Sequence, residues 1–292
     1  MNLEKTKLLL DKRLNEDAFD SYGVLVSIDG EKEFLHSENV NCDTYFDIAS
    51  MGKVLVTSTL ILKAIDEKRL SLDDTLQKFF DNVPNEKRNI TIKQLLTHSS
   101  GIVRYDIPQE PADAGTDAVA EFIIESPPAY APGTGYTYSC NGMIILGYIL
   151  EGIYKKTLEE IFNEKIKKPL GYTRSKFNIA IDEPNTAVCY RTENLDGLAH
   201  PWDDENIRVL KTSAGSGGQF FPIGSFGHCG HTGASMFFSR EKKMYVIILS
   251  NATRFLNMKN NFNGYDYRII EKMREDIHNA IFDDLSEIEF DI

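Results

Sequence analysis

The sequence lacks any long run of apolar residues. Although 42% of its 292 residues are hydrophobic, no stretch approaches the roughly 20 residues that a helix needs to cross a bilayer. The first segment, "MNLEKTKLLLDKRLNEDAF", has a charged amphipathic pattern and lacks the apolar region and small-residue cleavage site of a secretory signal. We therefore expect a cytoplasmic protein with no membrane partner, folded as one large domain or two closely joined ones.

Positive charge is also scarce, because 32 Lys and Arg stand against 44 Asp and Glu, a formal net charge of -12. Binding to phosphate backbones and anionic lipids depends on clustered Lys and Arg. This charge balance argues against nucleic acid and anionic membrane as partners.

Paired cysteines are missing as well. The four cysteines are widely spaced, and none belongs to a Cys-x-x-Cys pair: Cys42, Cys140, Cys189 and Cys229. In a cytoplasmic protein they are expected to be reduced thiols. Cys140, His228, Cys229 and His231 could also be interpreted as a zinc site, since His and Cys are the usual zinc ligands. Successive strand residues face opposite sides of a sheet, which separates His228 from Cys229, so we expect neither a metal nor a cofactor.

The chain has no internal repeat and no low-complexity linker. Alternating patterns predict a hairpin near each end, "GVLVSID" with "EKEFLHSE" about Asp29-Gly30, and "ASMFFSR" with "MYVIILSN". Helical patterns are predicted at the N-terminus, over 50–68, in "SLDDTLQKFF", in "TIKQLLTHSSG" up to Gly101, in "NGMIILGYILEGIYKKT", in "LEEIFNEKIKKPLG" and in "YRIIEKMREDIHNAIFDDL". Residues 103–135 are predicted to be mostly loop and 172–225 irregular. Both chain ends should therefore share one sheet, with helices inserted between them.

A serine and a lysine stand at the start of an almost wholly apolar helix, in "DIASMGKVLVTSTLILKAID". Residues three apart share a helix face, and helical side chains lean toward the N-terminus, so Lys53 should point back at Ser50. A serine hydroxyl becomes a good nucleophile only when a base takes its proton. Apolar surroundings lower the pKa of a lysine and suit it to that task. The structural alternative is a capping serine and a lysine that reaches solvent.

A second Ser-x-x-Lys pair, Ser239 and Lys242, lies in the charged turn "SREKK", where we expect it to be solvated. Only the first pair opens a helix with the apolar pattern of a buried element, which favours Ser50 as the functional serine. His98, in "LLTHSSG", is interpreted as a structural loop residue.

Several ordered segments resemble one enzyme superfamily. The stretch "FDIASMGKVLVTSTLILKAIDEKRLSLDDTL", followed by "ITIKQLLTHSSGI", "APGTGYTYSCNGMIILGYILE", "KPLGYTRSKF" and "FGHCGHTGASMFFSREKKMYVIILSN", resembles the serine β-lactamase and penicillin-binding-protein superfamily, in its class C and esterase-like branch. The resemblance runs from about residue 20 to 285. It implies an α/β (α+β) fold of the β-lactamase type: an antiparallel sheet flanked by helices, with an inserted, shortened all-helical region. We expect the α/β domain to comprise 1–75 plus 224–292 and the helical and loop insertion to comprise 76–223.

The same resemblance implies a role for each matching residue. Ser50 matches the acylated nucleophile, Lys53 its helical partner and Tyr138 the tyrosine that moves protons beside the nucleophile. His228, Cys229 and Gly230 match the Lys-Thr-Gly motif of a strand. The backbone N–H groups of Ser50 and His231 would then form an oxyanion hole.

Three positions depart from the family pattern. The mildest change is His228 in place of a lysine, since ester-cleaving relatives often have histidine there. Cys140 replaces the asparagine of Tyr-x-Asn, which removes an amide that contacts the acylamino side chain of β-lactams. Cys229 replaces a threonine, which removes a hydroxyl that would bind a substrate carboxylate. The resemblance thus implies a site less suited to β-lactams, in which Cys140, Cys229 and Gly230 line the substrate region.

The chain is also short after "WDDENIRVLKTSAGSGGQFF". The resemblance implies the loss of helices that would cover one side of the cleft, which leaves the cleft more open or covered by a partner subunit in a homo-oligomer. Trp202, beside Asp203 and Asp204, is expected to line that cleft.

Together these features predict a serine hydrolase that forms an acyl-enzyme with a small ester, amide or peptide, as an esterase or a D-amino-acid peptidase would. One alternative is a true β-lactamase or DD-carboxypeptidase. Another is a catalytically weak β-lactamase-like binding or sensor module.

Overall fold

The computed structural model describes residues 1–103, 107–177, 184–187, 225–253 and 268–286. The described residues divide into two compact units. The first, called the sheet unit, holds residues 1–51, 184–187, 225–253 and 268–286; the second, called the helical unit, holds 52–103 and 107–177. The division falls after Met51, earlier in the chain than the predicted boundary at 75/76. The reason is that the helix following Ser50 packs into the helical core through Val56, Leu60 and Ile61.

The sheet unit is built on a five-stranded antiparallel sheet in the order β2-β1-β7-β6-β5. Its strands are β1 (Tyr22–Ile28), β2 (Glu31–His36), β5 (Phe226–Cys229), β6 (Ser235–Ser239) and β7 (Met244–Ser250); β3 (Tyr45–Phe46) and β4 (Thr186–Ala187) pair separately, in parallel. Both predicted hairpins are confirmed, as is the sheet formed from the two ends of the chain.

The two faces of this sheet bury different partners. The helix α1 (Glu4–Asn15) and the C-terminal helix, which we label α9 (Arg268–Leu285), pack on the face that carries Val24, Val246 and Ile248. The opposite face, which carries Ile247 and Leu249, packs with Met51, Ala234 and Met236. Because side chains alternate along a strand, this arrangement places the residue after Ser50 on the side of the sheet away from α9.

The helical unit surrounds one buried helix. A π-helix (Lys53–Ser58) continues into α2 (Thr59–Asp66), and the other helical segments are a 3-10 turn (Leu76–Lys78), α3 (Ile92–Leu96), α4 (Gln109–Ala114), α5 (Thr116–Glu125), α6 (Cys140–Tyr154), α7 (Leu158–Phe162), a second π-helix (Asn163–Lys167) and α8 (Lys168–Leu170). Ten of the fifteen residues of α6 are buried, so the other helices pack around it. Within the described ranges, no helix is both long and apolar enough to cross a membrane.

Three sequence expectations were wrong in detail. The range 103–135 contains α4 and α5; Pro, Gly and Asp around residues 108–115 obscured the buried α5 residues Val119, Ile123 and Ile124. The helix after Lys53 is buried along only part of its surface, because Val54, Leu55 and Leu62 are exposed. Ser239 is buried rather than solvated, because it is the last residue of β6, where its Oγ accepts the backbone N–H of Lys242.

Candidate active site

Ser50 follows a tightly held turn in the sheet unit. The side-chain Oδ1 of Asp47 accepts the N–H of Ala49 at 2.7 Å, an interaction typical of Asx turns. Ala49 has a φ of 45°, in the left-handed region that costs a residue with a Cβ about 1–2 kcal/mol. Such strain is often stored beside functional groups. The turn holds Ser50, which is 0% exposed, just before the chain becomes helical at Met51.

The loop after β5 packs against the same turn. The Thr232 hydroxyl donates to the Asp47 carbonyl at 2.7 Å, and Gly230 lies so close that a Cβ there would be 2.6 Å from the Ile48 carbonyl oxygen. The loop is closed by a bond from the Gly230 N–H to the Ala234 carbonyl at 2.7 Å. The backbone of the predicted third motif is therefore fixed next to the residues that lead into Ser50.

His228 and Cys229 end β5 with different surroundings. The Nδ1 of His228 lies 2.9 Å from the Cys229 carbonyl oxygen, which can only accept, so Nδ1 carries a hydrogen. His228 is half-buried, whereas Cys229 is 0% exposed. The proposed contacts of both residues with a substrate stay predictions.

Lys53 and Tyr138 meet in the helical unit. Lys53 is 1% exposed, and its Nζ lies 5.0 Å from the centroid of the Tyr138 ring. Lys53 is also the first residue of the π-helix. Helices of this type are rare and frequently occur at functional sites. Lys53 is therefore a buried side chain and not one that reaches solvent, and its catalytic role stays a prediction.

His98 supports Tyr138, a contact that the sequence interpretation of His98 did not include. The His98 and Tyr138 ring centroids are 4.5 Å apart, and His98 Nδ1 accepts the N–H of Ser139 at 3.2 Å. Its carbonyl accepts the N–H of Thr137 at 3.0 Å. His98 itself has a φ of 55°, which bends the chain after α3 toward the loop that carries Tyr138.

Gly101 keeps these two loops together. Its φ is 79°, and a Cβ there would lie 2.2 Å from the carbonyl oxygen of Tyr130. No residue other than glycine fits such an approach. The sequence analysis placed the end of a helix at Gly101, but α3 ends at Leu96. The glycine instead allows the loop before Tyr138 to approach closely.

Cys140 is the first residue of α6 and is 4% exposed. Its neighbour Asn141 is 3% exposed, and the amide nitrogen of Asn141 has no hydrogen-bond partner among the described residues. Asn141 is therefore a buried residue of α6, and position 140 itself carries a thiol where the family pattern has an amide. The part of Cys140 in substrate binding stays a prediction.

Two further expectations concern the segment that contains Trp202 and a possible metal site. Trp202 and the shortened segment 202–221 lie outside the described residues, so the predicted cleft and homo-oligomer stay predictions. Among the residues that the structure describes, no group of three or more His, Cys, Asp or Glu side chains is arranged to hold a metal ion.

Comparison with known proteins decides the family. The sequence model of the Beta-lactamase family matches residues 8–222. The chain belongs to the beta-lactamase family. The predicted superfamily and β-lactamase-like fold are thereby confirmed, and the family is one of serine hydrolases. The match ends before β5, so the third-motif roles of His228 and Gly230 stay predictions.

Individual beta-lactamase relatives support the same fold. A protein of Escherichia coli O157:H7 named "Putative D-alanyl-D-alanine carboxypeptidase" is 30% identical over 173 residues, which cover 54% of this chain and 39% of that protein. A solved structure described as a class C beta-lactamase superposes with a TM-score of 0.71 at 15% identity, covering 99% of this chain and 97% of the other. EstCE1, described as a hydrolase with promiscuous acyltransferase activity, gives 0.70 at 16% identity, covering 96% and 98%. The matched segment thus spans less than half of the curated relative.

Proposed function

We propose that this protein is a serine hydrolase that acts on a small ester or amide through an acyl-enzyme at Ser50. The observation that carries the proposal is the buried Lys53, whose Nζ lies 5.0 Å from the ring centroid of Tyr138. A buried amine beside a half-buried phenol is suited to receive and return the proton of a serine hydroxyl. Ser50 precedes this lysine by only three residues.

The proposed reaction has two halves. In the first, Ser50 Oγ attacks the carbonyl carbon while its proton passes to Lys53 or Tyr138, and the N–H groups of Ser50 and His231 stabilise the oxyanion. The carbonyl then re-forms, and the leaving alcohol or amine takes the proton. In the second half, water attacks the acyl group, loses its proton to the same pair, and the acid product departs as Ser50 regains its hydrogen.

The preference for small esters over β-lactams rests on two side chains. Cys140 and Cys229, both buried, offer neither the amide nor the hydroxyl that the family pattern directs to the acylamino and carboxylate groups of a β-lactam. A thiol is a weak donor and a weak acceptor, so those substrate groups would lose partners. An ester without them loses nothing.

A DD-carboxypeptidase is the second candidate function. It is supported by the name of the curated relative, which shares 30% identity over 173 residues. A true β-lactamase, or a binding module that acylates without turnover, would use the same Ser50. The candidate functions therefore differ in which substrates acylate Ser50 and are then released by water as acid products.

A substrate panel tests the proposal. Short-chain nitrophenyl esters, D-alanyl-D-alanine peptides and a chromogenic cephalosporin are each assayed with wild type, Ser50→Ala and Ser239→Ala. Ser239 is the matched control, because it also lies three residues before a lysine and is buried. We expect the highest kcat/KM with an ester, its loss in Ser50→Ala and its retention in Ser239→Ala. A cephalosporin or peptide kcat/KM above the best ester value would replace the esterase assignment.

A further inference from the structure

An arginine is buried beneath the loop that follows β5. Arg274 lies on α9 and is 0% exposed. It occupies the apolar stripe of that helix, next to Met273 and one turn from Ile270 and Ile277. Arginine is almost never fully buried unless its charge is matched by partners. A structural or functional reason for this position is therefore needed.

Two backbone carbonyls of the described residues are partners of Arg274. Its Nη1 donates to the Gly230 oxygen at 2.7 Å and lies 3.4 Å from the Ala234 oxygen. The Gly230 oxygen also accepts the Gly233 N–H at 3.2 Å. The guanidinium thus holds the carbonyl that begins the loop.

Holding this carbonyl also orients the next N–H. The peptide unit between Gly230 and His231 is planar and trans, since the described residues contain no cis peptide bond. In such a unit the C=O and N–H vectors point in opposite directions. The Gly230 oxygen points to Arg274 on α9, so the His231 N–H points away from α9.

The turn before Ser50 lies on the side of the sheet away from α9. On that side Met51 packs with Ala234 and Met236, and a Cβ on Gly230 would lie 2.6 Å from the Ile48 carbonyl oxygen and 3.3 Å from the Ala49 Cβ. The peptide plane that Arg274 holds therefore presents its N–H on the side where the turn before Ser50 lies.

We propose that Arg274 is a positioning residue that fixes the Gly230–His231 peptide so that the His231 N–H serves as an oxyanion donor. The inference rests on the proposed function, because it assigns that N–H to the acyl-transfer reaction. A cation that donates to the carbonyl oxygen polarises the peptide more strongly than a neutral donor would. Hydrogen bonds to a charged group are stronger than neutral ones, and a polarised peptide is a better donor at its N–H.

The surroundings of Arg274 contain a second titratable group, His278, one turn along α9. It is 0% exposed, and its Nε2 lies 3.3 Å from Ser235 Oγ. Burial, followed by the Arg274 charge, lowers the pKa of His278 to about 3, so His278 is neutral near pH 7. Arg274 is thus the cation in this pair of side chains.

The test compares Arg274 with a second arginine of the sheet unit. Arg13 donates to Asp276 of the same helix at 2.7 Å, so Arg13→Met also removes an arginine that contacts α9. We would measure kcat and KM for the best ester, and the Kd of an arylboronic acid, whose serine adduct is tetrahedral and anionic. Arg274→Met should lower kcat and weaken boronate binding by about 10–100-fold, since misplacing an oxyanion donor costs less than the roughly 100–1,000-fold of removing one, with KM within threefold. Arg13→Met should stay within about threefold of wild type in all three values.

Rescue separates positioning from general stability. In Arg274→Ala, added guanidinium ion should restore kcat at least tenfold, whereas it should not change Arg13→Ala. Arg274→Lys, which keeps the charge without the planar donor group, should fold and recover only part of the activity. If Arg274→Met fails to fold, Arg274→Lys takes its place and must still show a kcat below that of wild type.

Two results would overturn the inference while leaving the proposed function intact. One is a folded Arg274 variant whose kcat and boronate Kd match wild type. The other is a loss of kcat that guanidinium does not rescue and that follows the folded fraction. A wild-type protein that neither turns over an ester nor binds the boronate would contradict the proposed function itself, and the assignment of Arg274 with it.

Discussion

The sheet unit and the helical unit hold their candidate functional groups in opposite ways. In the helical unit the groups are side chains, Lys53 and Tyr138. The His98 ring lies 4.5 Å from that of Tyr138 and is itself held by the backbone, because it accepts the Ser139 N–H. In the sheet unit, apart from Ser50 Oγ and His228, the proposed groups are backbone N–H groups. Side chains hold them, through Asp47 at the turn and Arg274 at the loop.

This difference has a consequence for mutagenesis. A side chain that reacts can be deleted by one substitution, whereas a backbone N–H can only be misplaced by changing its supports. Substitutions in the helical unit should therefore have the larger effects on rate, and supporting residues of the sheet unit the smaller ones. The predictions below test this order.

Apart from the loss of the nucleophile itself in Ser50→Ala, the largest effect is expected at Lys53. Lys53→Met removes the amine proposed to move the serine proton, and general acid–base groups typically contribute about 100- to 10,000-fold. We expect kcat/KM for an ester to fall about 1,000-fold, measured in steady-state assays. The thermal midpoint should stay near the wild-type value, because methionine keeps the apolar stem of the side chain.

Lys87→Met is the matched control for that substitution. Lys87 is also fully buried, and its Nζ donates to the carbonyls of Ile123 and Ile124 at 2.7 and 3.1 Å. Its loss leaves buried carbonyls without a donor and should cost about 1–3 kcal/mol of stability, with kcat/KM within threefold of wild type. Equal losses of activity in the two variants would break the distinction between the two lysines.

A smaller effect is expected for Tyr138→Phe. The variant keeps the ring that contacts His98 and Lys53 but loses the hydroxyl that would move the proton. We expect kcat to fall about 100-fold with little change in KM, from steady-state kinetics. Wild-type kcat in a folded Tyr138→Phe protein would reduce Tyr138 to a packing residue.

In the sheet unit, substitutions of His228 should change the rate by about tenfold, by an amount that depends on pH. Nδ1 is engaged with the Cys229 carbonyl, so Nε2 is the nitrogen that would gain a proton, and histidine commonly titrates near neutral pH. If the cation aids catalysis, His228→Lys should extend activity to higher pH and His228→Ala should lower it without unfolding. Identical pH–kcat/KM profiles in wild type and both variants would withdraw the third-motif assignment.

The smallest effect on activity is expected at Lys87, whose burial should instead make the stability of the protein depend on pH. Burial lowers the pKa of Lys87 from 10.5 to about 8, so between these values the unfolded chain holds more protons than the folded one. The free energy of unfolding contributed by Lys87 therefore rises with pH in this window. Denaturant unfolding at pH 7.5 and 10 should show wild type gaining stability relative to Lys87→Met. A constant or shrinking difference would contradict the burial of a charged amine at this site.

The sequence was most informative where short-range patterns decide structure. Alternation and the Asp29-Gly30 turn identified the hairpin β1–β2, and the 3.6-residue period identified α9. It failed at α5, where Gly115 and nearby Pro and Asp suggested a loop although Val119 and Ile123 are core residues. There, tertiary packing outweighs the local signals.

The residues of the candidate site were easier to find in the sequence than their supports. Ser50 and Lys53 stood out because a polar pair opens an apolar helix, and their catalytic roles stay predictions. The His98–Tyr138 contact joins loops 40 residues apart in the sequence, which no local pattern encodes. Arg274 did leave a signal: a charged residue within the apolar stripe of α9, whose partner Gly230 lies 44 residues away.

The most direct test of the whole account is the mass of the protein after reaction with a fluorophosphonate. Wild type and Ser239→Ala should each gain one adduct, with peptide mapping locating it on Ser50, and Ser50→Ala should gain none while melting near the wild-type temperature. An adduct on a folded Ser50→Ala protein, or none on wild type, would contradict the assignment of Ser50 as the nucleophile.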